Sequence, residues 1–167
     1  MKTTTEWERR CAALWDTFQD RDAAEFRSAM RTLAGELPEG HTVAAFELAS
    51  AYDATDLGEQ AVPLYRQALD GGLPGDRRRQ AVVQLASTLR ALGDPRTSAE
   101  LLLAERGRTS DHLDDAVTAF LALSLVDLGR EREAAALALG ALSRHLPSYN
   151  KSLAHYAAAV AEPIPNG

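Results

Sequence analysis

Three arginines, Arg77, Arg78 and Arg79, follow the turn-forming run GGLPGD at residues 71–76. Guanidinium groups gathered beside a glycine-rich turn suit an anion contact, with phosphate or carboxylate as the ligand. The same cations fall in the first turn of a predicted helix, where each opposes the macrodipole by roughly 0.3–1 kcal/mol when exposed. Asp76 as N-cap offsets part of that. Acids such as Asp70 offer ion pairs, and the arginine stems can cover apolar surface. Surface ion pairs are common, so the spacing favours a solvated corner between helices over an anion site.

The other reactive residue types are scattered. His41, His112, His145 and His155 form no H-E-x-x-H and no i,i+4 pair, so no metal site is expected. The acidic run SDHLDD at 110–115 reads as a helix start with Ser110 or Asp111 as N-cap. Ser110, His112 and Asp114 lie within one turn and cannot converge on a shared proton path as a catalytic triad would. Neither G-x-x-x-x-G-K-[ST] nor G-x-G-x-x-G occurs, so nucleotides lack their usual cradle. The expectation is a non-enzymatic chain with no catalytic residues, no cofactor and no metal.

The bulk properties agree. The 167 residues are 46% hydrophobic, enough for one domain with a proper core. A net charge of −6 argues against a broad basic surface for nucleic acid. Charges interrupt every apolar run before the length of a membrane span. The start MKTTTEWERR lacks the apolar core of a signal peptide, and Cys11 is the single cysteine, which together suit a reducing cytoplasm.

These residues must be positioned by helices, because helical period dominates throughout and no strand-length alternation appears. Start and stop signals predict nine helices, near 5–18, 21–36, 42–55, 59–70, 76–92, 96–106, 111–128, 131–145 and 149–161, with a flexible tail at 162–167. Thr5 with Glu8, Asp56 with Glu59, and Thr97 with Glu100 have capping-box spacing.

A repeat underlies the helices. Leu48-Ala49…Tyr52, Leu85-Ala86…Leu89 and Leu121-Ala122…Leu125 match at offsets of 37 and 36. Ala61, Ala99 and Ala134 are equivalent small positions, with Tyr65, Leu103 and Ala138 four residues later. Gly93 and Gly129 sit where a helix must stop and turn back. The pattern resembles the tetratricopeptide repeat, in the longer-period form seen in bacterial proteins. It covers 42–75, 79–109 and 115–147, with a degenerate pair at 5–38 and a capping helix at 149–161. The family's first-helix aromatic is missing, since Ala45, Val82 and Thr118 stand there, and the second repeat lacks the closing Ala and Pro.

The resemblance implies an all-α, right-handed array of about four antiparallel helix pairs plus the capping helix, in one domain. Its concave side would carry Phe46, Glu47, Ser50 and Asp53, then Val83, Gln84, Ser87 and Arg90, then Ala119, Phe120, Leu123, Val126 and Asp127. Such a groove is where this family holds peptides or partner helices, so the expected partner is a protein segment. A variant such as Phe46→Ala is then expected to weaken binding with little change in melting. The lysines and asparagines of the family's carboxylate clamp are absent, because the matching positions hold Phe46, Ser50, Gln84, Ala116 and Phe120. Self-assembly into a homo-oligomer, or docking of an anionic or phosphorylated partner near Arg77–Arg79, are the alternatives. Tyr149, Leu153, Tyr156 and Val160 share one helical face, expected to cover the end of the stack.

Overall fold

A computed structural model of the chain describes residues 3–108 and 111–162. Ser110 as an N-cap, the last residue of the repeat drawn at 79–109, and residues 163–167 of the tail lie outside the described residues. The described residues form helices and no strands. They divide into two compact units, Met1–Thr88 and Leu89–Gly167.

The first unit holds α1 (Thr5–Asp16), a 3-10 turn at Phe18–Asp20, α2 (Ala23–Ala34), α3 (Thr42–Asp53), α4 (Gly58–Asp70) and most of α5 (Asp76–Ala91). Neighbours in sequence pack together, α1 on α2, α2 on α3 and α3 on α4. Helices α1 and α2 are locked by the Trp7 indole N–H, which donates to the Leu33 carbonyl at 2.9 Å. Trp15, Phe18 and Phe26 close that end as three mutually tilted rings with centroids 4.8–5.9 Å apart. Helix α3 is buried almost all round, because the run Val43–Phe46 is matched by Ala49 and Ala51 on its other sides. Its two buried polar residues are Glu47 and Ser50.

The second unit holds the end of α5, then α6 (Pro95–Arg106), α7 (Asp114–Asp127), α8 (Glu131–Ser143) and α9 (Asn150–Ala161). Again each helix packs on the next, from α6 through α9. The predicted stripes Val82, Leu85, Ala86, Leu89 and Thr118, Leu121, Ala122, Leu125 are all buried.

The helix stops carry the repeat most clearly. After α5, the Asp94 N–H reaches back to the Leu89 carbonyl and the Gly93 N–H to Arg90. After α7, Arg130 bonds Leu125 and Gly129 bonds Val126 in the same way. After α3, Leu57 bonds Tyr52 and Asp56 bonds Asp53. This paired bonding satisfies carbonyls that a helix end leaves open, and it needs a left-handed residue at the turn. Gly93 (φ 91°), Gly129 (φ 72°) and Asp56 (φ 61°) supply it.

Four local expectations are corrected by this geometry. Asp56 is the left-handed stop of α3, so it forms no capping box with Glu59. The N-cap of α1 is Thr4, whose hydroxyl accepts from the Trp7 N–H at 3.2 Å, and Thr5 is already helical. The N-cap of α6 is Asp94, which accepts from the Thr97 N–H at 3.1 Å with Pro95 in the first turn. Helix α7 begins only at Asp114, with Leu113 rather than Asp111 at the N-cap position; the Asp111 carboxylate accepts from the Leu113 N–H. Packing after the small alanines also differs. Tyr65 follows Ala61 into the core, but Leu103 is 44% exposed and Leu102 takes the buried place after Ala99. On α9, Tyr149 and Tyr156 are 82% and 66% exposed, and only Ala157 is fully covered. The covering face of α9 is therefore turned towards Ala157, with Leu153 and Val160 half-buried beside it.

Candidate functional site

On α3, Glu47, Ser50 and Asp53 recur every three residues and so form one polar stripe along a helix otherwise buried among apolar groups. On α5, Arg77, Gln84 and Thr88 form a facing stripe. Three rungs join them. The Arg77 Nε–H donates to Glu47 Oε1 at 3.2 Å, the Ser50 hydroxyl donates to Gln84 Oε1 at 3.1 Å, and the Thr88 hydroxyl donates to Asp53 Oδ1 at 2.8 Å.

The rungs border a cavity of about 680 Å³ within the first unit. Its apolar walls are Trp15 of α1, Phe46 and Ala54 at α3, and Tyr65 of α4. Gln80, one turn before Gln84, faces the same space. Trp15 donates its indole N–H to Glu47 Oε2 at 2.9 Å, so both Glu47 oxygens have donors. The Tyr65 hydroxyl donates to Asp53 Oδ2 at 3.2 Å, so both Asp53 oxygens do too. Burial, and then the nearby Asp53 charge, push the Tyr65 phenol well above its ordinary range. Behind the wall, Cys11 is buried, and desolvation followed by the Glu47 charge pushes its thiol up to about 12.

The structure thus brings together Glu47, Ser50, Asp53 and Gln84 of the expected groove, with Phe46 beneath them. Phe46 is only 4% exposed. Its truncation would open the core, which corrects the expectation of an unchanged melt. Val83, Ser87, Arg90, Phe120 and Asp127 do not line this cavity. Val83 is buried, while Ser87 and Phe120 are half-buried. Arg90 pairs with Asp127 at 2.6 Å, and Leu123 and Val126 are exposed.

Arg77–Arg79 are not one exposed cluster. Arg77 is held by Glu8 and Glu47, not by Asp70, and Arg79 is 3% exposed. Helical period explains the split, since consecutive residues point 100° apart and only Arg77 falls on the cavity stripe. Among the described residues, no three His, Cys, Asp or Glu side chains gather as a metal would require. Trp15, Tyr65, Gln80 and Thr88 were not anticipated here. Gln80 and Thr88 were discoverable as the i−4 and i+4 neighbours of Gln84, but nothing local marks Trp15.

The spacing of the helix pairs finds its counterpart in a known family. The family model described as tetratrico peptide repeat matches residues 42–160, well over half of the chain. The chain belongs to the tetratricopeptide repeat family. The match starts at the first residue of α3 and runs into α9. The cavity is therefore built by helices of the repeat, with Trp15 contributed from α1, upstream of the match. Tetratricopeptide arrays are in general non-enzymatic scaffolds for protein interaction. No curated protein and no solved structure matches the chain. None of the helices described is long and apolar enough to cross a membrane.

Proposed function

We propose that the chain is a non-enzymatic interaction module that holds a protein segment in the cavity between the polar stripes of α3 and α5. The cavity itself carries this reading. Its volume of about 680 Å³ lies in the range of specific ligand sites, roughly 300–1,000 Å³. Aromatic walls offer apolar contact area, and amides offer orientation. Among the described residues nothing bonds the Gln80 side chain, and Gln84 uses only its carbonyl oxygen, so their N–H groups are open to a peptide backbone.

Ala54 is exposed at the cavity edge, so Ala54→Trp fills the space without disturbing the core. A nonapeptide selected from a random display library on the native chain should bind Ala54→Trp at least about tenfold more weakly, roughly 1.4 kcal/mol, with an unchanged thermal melt. Equal binding to both would sink the assignment, as would failure to select any peptide.

A second reading, self-assembly, draws on the two exposed tyrosines of α9, Tyr149 and Tyr156. Sedimentation at high micromolar concentration checks it, and a strict monomer there overturns it.

A further inference from the structure

The charge around the cavity is unbalanced. Glu8 and Glu47 both engage the guanidinium of Arg77. Asp53 has no cation at all among the described residues. Its two oxygens accept from Tyr65 and Thr88, both neutral hydroxyls. Those bonds fix the carboxylate in place without neutralising it, and each oxygen keeps a further acceptor site. Among the described residues, no lysine or arginine other than Arg77 lines the cavity.

We propose that the cavity takes a lysine or arginine side chain presented by the bound protein segment, with Asp53 as its counter-ion and the aromatic walls around its stem. This rests on the reading of the chain as a peptide-holding module and names the chemistry of what it holds. Three further observations favour a cation. Trp15, Phe46 and Tyr65 line the space, and aromatic rings attract ammonium and guanidinium groups. The long methylene stem of Lys or Arg, tipped by a charge, suits walls that mix aromatic rings with carboxylate and amide groups. Two carboxylates, Glu47 and Asp53, line the space against the lining cation Arg77; after burial, the larger cause, their charges also raise the Cys11 thiol and the Tyr65 phenol. A carboxylate-bearing ligand would meet those like charges and be repelled. The preference is thus opposite in sign to a clamp for chain-terminal carboxylates.

Asp53→Asn isolates the charge. The Asn oxygen can accept from Tyr65. Its NH2 can donate to Thr88, whose own hydroxyl is then free to donate to the Gln84 carbonyl that already lies at 2.8 Å. The hydrogen-bond frame therefore survives and only the charge is lost.

The test uses nonapeptide pools with blocked termini, randomised flanks and a fixed central Arg, Lys, Leu or Glu. Binding to the full chain is read by fluorescence anisotropy. Arg and Lys pools should bind about tenfold or more tighter than the Leu pool, with Glu weakest. The Arg and Lys advantage should shrink as salt rises and should vanish in Asp53→Asn. Equal binding of the Leu or Glu pools overturns the inference while leaving the module reading intact, as does a basic preference that survives in Asp53→Asn. If no pool binds, the module reading fails and the inference falls with it. If spermidine binds in an Asp53-dependent way and no pool does, the occupant is a free amine and the protein-segment source is overturned.

Discussion

Phe46 lines the cavity and is itself buried, with its ring centroid 6.4 Å from that of Tyr65. Removing a buried ring leaves a void, so Phe46→Ala should lower stability by about 3–5 kcal/mol in urea unfolding. Arg77 has a different role. Glu47 is buried, and without Arg77 its charge would have no cation beside it. Arg77→Met should therefore destabilise by about 1–3 kcal/mol, more than Glu8→Gln, whose site is a third exposed. The Glu8 contribution also depends on pH. Burial alone would push its carboxyl up, but bonds from Arg77 and Thr3 outweigh this and hold it below its ordinary 4.5. A lowered folded value means the contribution is complete above pH 4.5 and is lost as pH falls through the lowered value. The stability gap between the native chain and Glu8→Gln should accordingly be constant near neutrality and narrow in acid.

At the scale of elements, the helix stops and the helix starts respond to different rules. Gly93 adopts φ 91° with open space around a would-be Cβ, so only backbone strain opposes Gly93→Ala. That substitution should destabilise by roughly 1–2 kcal/mol, whereas Asp56→Gly, at the equivalent stop with φ 61°, should stabilise. Opposite shifts in melting temperature check the pair, and shifts of the same sign would show that the two stops are not equivalent. The sequence made these stops legible because glycine is the usual answer to a positive φ, and the offsets of 37 and 36 residues recur in the bonding. Helix starts were less legible. Thr5, Asp56, Thr97 and Asp111 are all good capping types, but which one caps depends on where the backbone leaves the helix, and Thr4 and Asp94 are equally good caps nearby. Phe46, Glu47, Ser50, Asp53 and Gln84 of the cavity were readable from the concave side that the repeat resemblance implies. Trp15 was not, because its place depends on α1 folding back beside a helix 32 residues later. The exposed Tyr149 and Tyr156 make the related point that a shared helical face need not be the buried one.

At the scale of the molecule, the boundary between the two units falls at Thr88 and Leu89, inside the continuous helix α5. A helix cannot end there without losing backbone bonds on both sides. Both tryptophans, Trp7 and Trp15, lie in the first unit, whereas far-ultraviolet circular dichroism averages over all helices. If α5 transmits cooperativity, the two signals should melt with the same midpoint; separate midpoints would show that the units unfold independently. Cys11 extends this to motions short of unfolding. Thiol reagents need an accessible thiolate, and a buried thiol titrating near 12 supplies neither access nor charge at neutral pH. Reaction must await a local opening. The speed at which Cys11 is alkylated in native buffer is thus a built-in clock for the breathing of the wall behind the cavity. A ligand that bridges α3 and α5 should slow that clock, giving a label-free readout of occupancy that needs no knowledge of the partner.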